Sequence, residues 1–213
     1  MQKKALGWKV TVLWFLGSLA ILSGVYRIVL TSQALLTGVM PEDAGDMSYV
    51  YHPVLSALHI VPGMIFLILG PLQFISTIRT RWPHIHRWSG RIFIAAGLLT
   101  AIMAITVNLV FPPVGGLFKS LAVYIFSVAQ IVALVIALRA ILRRDIVLHR
   151  AWMIRSLAIG LSVSTMRIFF IPVYFMYGLP SDFVIGLGMW IGFVVNIIVA
   201  ELILYRERSL VKA

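Results

Sequence analysis

Six long apolar runs limit this chain to one kind of solvent. They cover residues 10–30, 53–76, 92–111, 117–142, 151–174 and 183–205. About 20 mostly apolar residues are needed to cross a ~30 Å hydrocarbon core, and each run meets that length. None alternates polar with apolar, which excludes a closed barrel and predicts a helix for each. Only 12% of the 213 residues are charged, against about 25% in a soluble domain. The expected fold is therefore all-α: a polytopic membrane protein with six transmembrane helices. It forms a single domain over 1–213, with a four-helix core from spans two to five. There are no cysteines, which excludes disulfides, thiolate catalysis and cysteine metal sites. The first run is too long for the apolar part of a signal peptide, and no A-x-A-like site follows it. It is expected to be a retained helix.

The net charge is +11, yet its distribution argues against nucleic acid. Fifteen of the 18 basic residues stand at one set of span ends: Lys3, Lys4, Lys9, Arg79, Arg81, Arg87, Arg91, Arg139, Arg143, Arg144, Arg150, Arg155, Arg206, Arg208 and Lys212. The opposite ends carry Glu42, Asp43, Asp46 and Asp182, with Lys119 and Arg27 against them. Basic residues collect on the cytoplasmic side of a membrane protein, so both termini are expected to be cytoplasmic. Trp8, Trp82, Trp88 and Trp152 fall at the same boundary, where amphipathic rings favour the headgroup level. Pro62 and Pro71 predict a kinked second span, and "GVMPEDAGD" a turn-rich cap in the outer loop 31–51.

A short motif occurs twice. "HRWSGR" spans 86–91 and "HRAWMIRS" spans 149–156. With one residue inserted, His86, Arg87, Trp88 and Arg91 align with His149, Arg150, Trp152 and Arg155. Each motif opens a span running outward after a span running inward, the pattern of two parallel helix hairpins. Interfacial arginines ordinarily hold lipid phosphate. Helix starts add partial positive charge, so each motif suits an anion: a lipid phosphate, a haem propionate or a phosphorylated ligand. His84 adds a third imidazole. On a helix, His84 and His86 would point apart; in a loop they could converge on zinc.

A second polar level lies in the outer third of four consecutive spans. His59 falls about 9 Å below the outer end of span two, and Arg167 about 24 Å from the inner end of span five. Asn108 and Tyr124 reach a similar depth. Polar groups inside a membrane are costly and mark sites. The functional reading is an outer-facing pocket between His59 and Arg167 for a quinone carbonyl, a haem propionate or a small anion. The structural reading has Arg167 snorkelling outward and His59 bonded to a backbone carbonyl. Glu201 is expected to pair with Arg155 or Arg91. Gln73, Gln130 and Asn196 read as hydrogen-bond links between helices.

"HIVPGMIFLILGPLQF", the R-x-R-x-P-x-x-H-R-W-S-G-R pattern, "HRAWMIRS" and "TMRIFF" resemble a family of bacterial multi-pass membrane proteins of unknown function. The resemblance covers spans two to five and implies a location in the bacterial inner membrane. It singles out His59, Gly70, Gln73, His86, Arg87, Gly90, Arg91, His149, Arg150, Trp152, Met153, Arg155, Ser156 and Arg167. A looser likeness is to six-helix b-type cytochromes of the ascorbate-reducing kind, which implies histidine-ligated haem. One haem b between His86 and His149 would fit that likeness, with Arg87, Arg91, Arg150 and Arg155 for its propionates. His59 has no histidine opposite it at the outer level, although Met103 or Met166 could serve as an axial ligand.

Three functions follow as expectations: a redox protein holding haem b or a quinone-like cofactor, a transporter or binding protein for a small anion or lipid, and an accessory subunit with no site of its own. The expected partners are the lipid bilayer and a small molecule. No nucleophile elbow, phosphate loop or zinc motif suggests a soluble enzyme.

Overall fold

Helices begin where the sequence supplies the first turn with what it lacks. Asp43 accepts from the Asp46 amide at 3.0 Å and Asp145 from the Leu148 amide at 2.9 Å, each satisfying an orphan donor. Pro53 and Pro83 occupy first positions, where a missing N–H costs nothing and φ is already helical. The computed structural model describes residues 2–111, 114–178 and 181–212, and for residues 2–9, 44 and 210–212 the backbone only. Lys3, Lys4, Trp8, Lys9 and Lys212, used above for orientation, lie outside the described side chains.

The described residues are helical, with short turns, and form two compact units, 1–114 and 115–213. The first holds α1 (Gln2–Thr37), α2 (Ala44–Tyr51), α3 (Pro53–Leu72), α4 (Ser76–Arg81) and α5 (Pro83–Val110). The second holds α6 (Gly116–Leu142), α7 (Ile146–Tyr177) and α8 (Asp182–Lys212). Six of these helices are long and apolar enough to cross a membrane: α1, α3, α5, α6, α7 and α8. The arginine-rich ends are called inner below.

In the first unit, α3 packs along α5, and α1 and α2 pack against α3. Phe66 and Phe93 are both almost fully buried and stack at 4.2 Å. At Gly63 even a methyl would stand 3.0 Å from Thr100 Oγ1. Small residues let helices approach closely where lipid supplies no hydrophobic drive. The outer loop holds α2, tied to α1 by an Arg27–Asp46 ion pair at 2.5 Å, with Arg27 stacked over Tyr49 at 4.1 Å. In the second unit, Ala122, Phe126, Ile159 and Phe193 form the core, with Phe126 on Phe193 at 4.0 Å. Helix α8 contributes Phe193, Ala200 and Leu204 to the buried set.

Helix α5 starts at Pro83 rather than near Ile92, so HRWSGR lies on a helix. Apolar counting misses its polar first turns. His84 and His86 therefore sit at i and i+2, about 200° apart, and the zinc reading that needs a loop does not apply. Helix α6 ends at Leu142 and α7 starts at Ile146. Between them Arg144 takes the left-handed conformation, φ 61°. The Asp145 amide closes back on the Ala140 carbonyl at 2.9 Å, a helix-ending bond for which glycine is the usual residue at position 144.

Candidate functional site

Most of the polar residues singled out in the spans tie helices together. In the first unit, His59 Nδ1 lies 3.1 Å from the Thr100 carbonyl, while Thr100 Oγ1 donates to the His59 carbonyl at 2.8 Å. A carbonyl only accepts, so Nδ1 carries a proton. A neutral ring in that tautomer has no second N–H for a quinone carbonyl. Gln73 donates to Ser89 Oγ at 2.9 Å, linking the end of α3 to α5.

The second unit has further ties of this kind. Gln130 donates to Ser156 Oγ at 3.0 Å and Asn196 to Thr165 Oγ1 at 2.7 Å. At the inner end, Arg155 forms a two-pronged pair with Glu201 at 2.6 and 2.9 Å. One turn nearer the helix start, Arg150 grips Glu207 through two bonds. Bidentate guanidinium–carboxylate pairs are the stronger class of ionic hydrogen bond. Arg150 and Arg155 are thus neutralised by α8. The ties expected for Gln73, Gln130, Asn196 and Glu201 are present, with Arg155 the partner of Glu201.

The imidazoles are placed as follows. His149, half-buried, has Nδ1 2.9 Å from the Ala137 carbonyl, which leaves Nε2 as the nitrogen able to ligate a metal. His84 Nε2 accepts from Trp88 Nε1 at 3.0 Å. His52 stacks on Phe111 at 5.7 Å. His86 is half-buried on α5, in the first unit, whereas His149 belongs to the second. The outer-level residues divide likewise: His59 and Asn108 in the first unit, Tyr124 and Arg167 in the second. Asn108 and Tyr124 are half-buried, and Arg167 donates to the Val163 carbonyl of its own helix at 2.8 Å. Among the described residues, no three His, Asp or Glu side chains gather as a metal site would require.

Sequence reasoning missed Ser89, Thr100, Thr165 and Glu207, receiving ends of these ties; Ser156 was singled out by the resemblance but not as the partner of Gln130. The available signal was their polarity within or beside apolar runs. It also missed a recess of about 390 Å³ at the α6–α7 turn, lined by Ile136, Arg139, Ala140, Arg143, Asp145 and Leu148. The two copies of the motif do share one device: Arg91 lies over Trp88 at 5.0 Å and Arg155 over Trp152 at 4.7 Å.

One buried hydroxyl stands apart. Ser164 on α7 is fully buried, and its Oγ has no hydrogen-bond partner among the described residues. Ser164→Ala is expected to raise stability by about 1 kcal/mol, because an unsatisfied buried hydroxyl carries its desolvation cost uncompensated. A thermal unfolding scan checks this. A loss of stability would reveal a polar partner held there.

A family model described as a predicted membrane protein (DUF2306) matches residues 56–204, from within α3 to within α8. Comparison with curated proteins and with solved structures finds no match. The likeness to b-type cytochromes is therefore unsupported, and the family match stands alone.

Proposed function

The chain belongs to the DUF2306 family of predicted membrane proteins, and from that premise we propose that it binds anionic lipid at its inner rim. In this reading it sits in a bacterial cytoplasmic membrane with both termini inside. The observation that carries it is a charge imbalance at the inner helix ends. Eleven arginines stand there: Arg79, Arg81, Arg87, Arg91, Arg139, Arg143, Arg144, Arg150, Arg155, Arg206 and Arg208, against Asp145, Glu201 and Glu207. Two of those carboxylates are already occupied, by Arg155 and Arg150. The surplus of guanidinium has no internal counter-ion among the described residues, and the anionic headgroups of the inner leaflet supply one. The recess between Arg139 and Arg143 adds concave shape to that charge. The quinone reading has less to stand on, since His59 Nδ1 is engaged with the Thr100 carbonyl.

The test is thermal unfolding of the whole protein in phosphatidylcholine nanodiscs with and without phosphatidylglycerol. Phosphatidylglycerol is expected to raise the melting temperature, and the gain is expected to shrink as salt screens the attraction. Equal melting in both lipids would overturn the reading. A Soret band in the same preparation, lost in His149→Ala, would restore the redox alternative.

A further inference from the structure

We infer that the two copies of the motif have divided their labour: the copy in α7 clamps α8, and the copy in α5, with α4, is the surface that holds anionic phospholipid. This rests on the lipid-binding reading and assigns it to particular residues. The second unit meets its motif arginines with carboxylates, Arg150 with Glu207 and Arg155 with Glu201. The first unit has no such partners. Its only acidic residues are Glu42, Asp43 and Asp46, all beyond the outer end of α1 or on α2, and Asp46 is paired with Arg27. Its inner end nevertheless gathers Arg79 and Arg81 on α4 and Arg87 and Arg91 on α5. All four are exposed, and no carboxylate pairs with them among the described residues.

The placement on α5 is not scattered. Arg87 and Arg91 are one turn apart, and Trp88 lies between them on the same side, with Arg91 over its ring at 5.0 Å. Ser89 and Phe93 turn the opposite side of α5 inward, toward Gln73 and Phe66. Trp82 and Trp88 are 54% and 51% exposed. Indole rings favour the headgroup boundary and guanidinium forks match phosphate oxygens. A row of arginines interleaved with tryptophans across α4 and the start of α5, with Arg91 over Trp88, meets both needs of a lipid phosphate: a countercharge, and a ring at the depth of the glycerol backbone. Free phosphate would satisfy only the charge and leave the exposed indoles in water.

The experiment compares the whole protein and three paired variants in phosphatidylcholine nanodiscs with and without phosphatidylglycerol. Lipid retention is read by native mass spectrometry and stability by thermal unfolding. Arg87→Gln with Arg91→Gln is expected to weaken the preference for phosphatidylglycerol about 30-fold, the usual worth of two basic residues at an anionic surface. Its melting temperature in pure phosphatidylcholine is expected to stay near that of the wild type. Arg150→Gln with Glu207→Gln is expected to lower melting equally in both lipids and to keep the preference. If instead Arg139→Gln with Arg143→Gln abolishes the preference and the α5 pair does not, the lipid site lies at the α6–α7 turn and this assignment falls while the lipid reading survives. If the wild type shows no preference, the lipid reading itself falls. If inorganic phosphate in phosphatidylcholine discs reproduces the stabilisation, the site takes a soluble anion and the choice of lipid is overturned.

Discussion

Glu201→Ala is expected to lower the stability of the second unit by about 2–3 kcal/mol, because it strands a guanidinium at membrane depth. Arg155 lies nine residues into α7, about 13 Å along its axis. Its side chain is 20% exposed and relies on the Glu201 fork at 2.6 and 2.9 Å. The Trp152 face at 4.7 Å is the contact left when the carboxylate goes. Glu201 is 48% exposed, which holds the cost below the roughly 3–5 kcal/mol of breaking a fully buried pair. Glu201→Gln keeps an acceptor and should lose less. Arg155→Met with Glu201→Leu removes both charges and should recover most of the loss, because the desolvation of an unpaired ion is what hurts. Unfolding of the four proteins in one detergent gives the coupling directly. An alanine variant as stable as the wild type would mean that the fork contributes nothing to holding α8.

The second large effect is expected at Gly192. A β-carbon there would meet the Ser162 carbonyl oxygen at 2.6 Å, the Met166 amide nitrogen at 3.2 Å and Met166 Cβ at 3.2 Å. The first two are backbone atoms of α7 and cannot swing aside. Gly192→Ala therefore pushes α7 and α8 apart and is expected to cost about 3 kcal/mol, the upper part of the usual range for overpacking. The separation would also stretch the Asn196–Thr165 bond one turn away. Gly188→Ala is the control on the same helix, because its β-carbon finds only Met166 Cγ, at 3.6 Å. Thermal unfolding of both checks the difference, and similar melting temperatures would refute the close approach.

The membrane-spanning helices were legible because burying a peptide group in hydrocarbon is so costly that span length and apolarity leave few alternatives. The polar ties were half legible. An amide such as Gln130 inside an apolar run announces that it needs a partner. It does not announce Ser156, because a hydroxyl can also turn back on its own helix, as Ser162 does on Ala158. The start of α5 was misplaced for a related reason. Pro83 and Trp82 mark it, yet the turns that follow carry His and Arg at headgroup depth, where hydropathy has no signal. The role of Arg150 was the least legible part, and Arg155 was legible only as one of two candidate partners for Glu201. In sequence they match Arg87 and Arg91, and only the placement of Glu201 and Glu207 on α8 separates a clamp from an exposed cationic row.

Because α5 is unbroken from Pro83, its first turns have a fixed phase. Adding or deleting one residue between Ser89 and Arg91 would rotate the earlier stretch by about 100° relative to the rest of the helix. Arg87 and Trp88 would leave the side they share with Arg91, and Ser89 would swing away from Gln73. A loop at this place could change length and keep its chemistry. A helix cannot, so the spacing inside HRWSGR should tolerate exchange of residues far better than any change in their number.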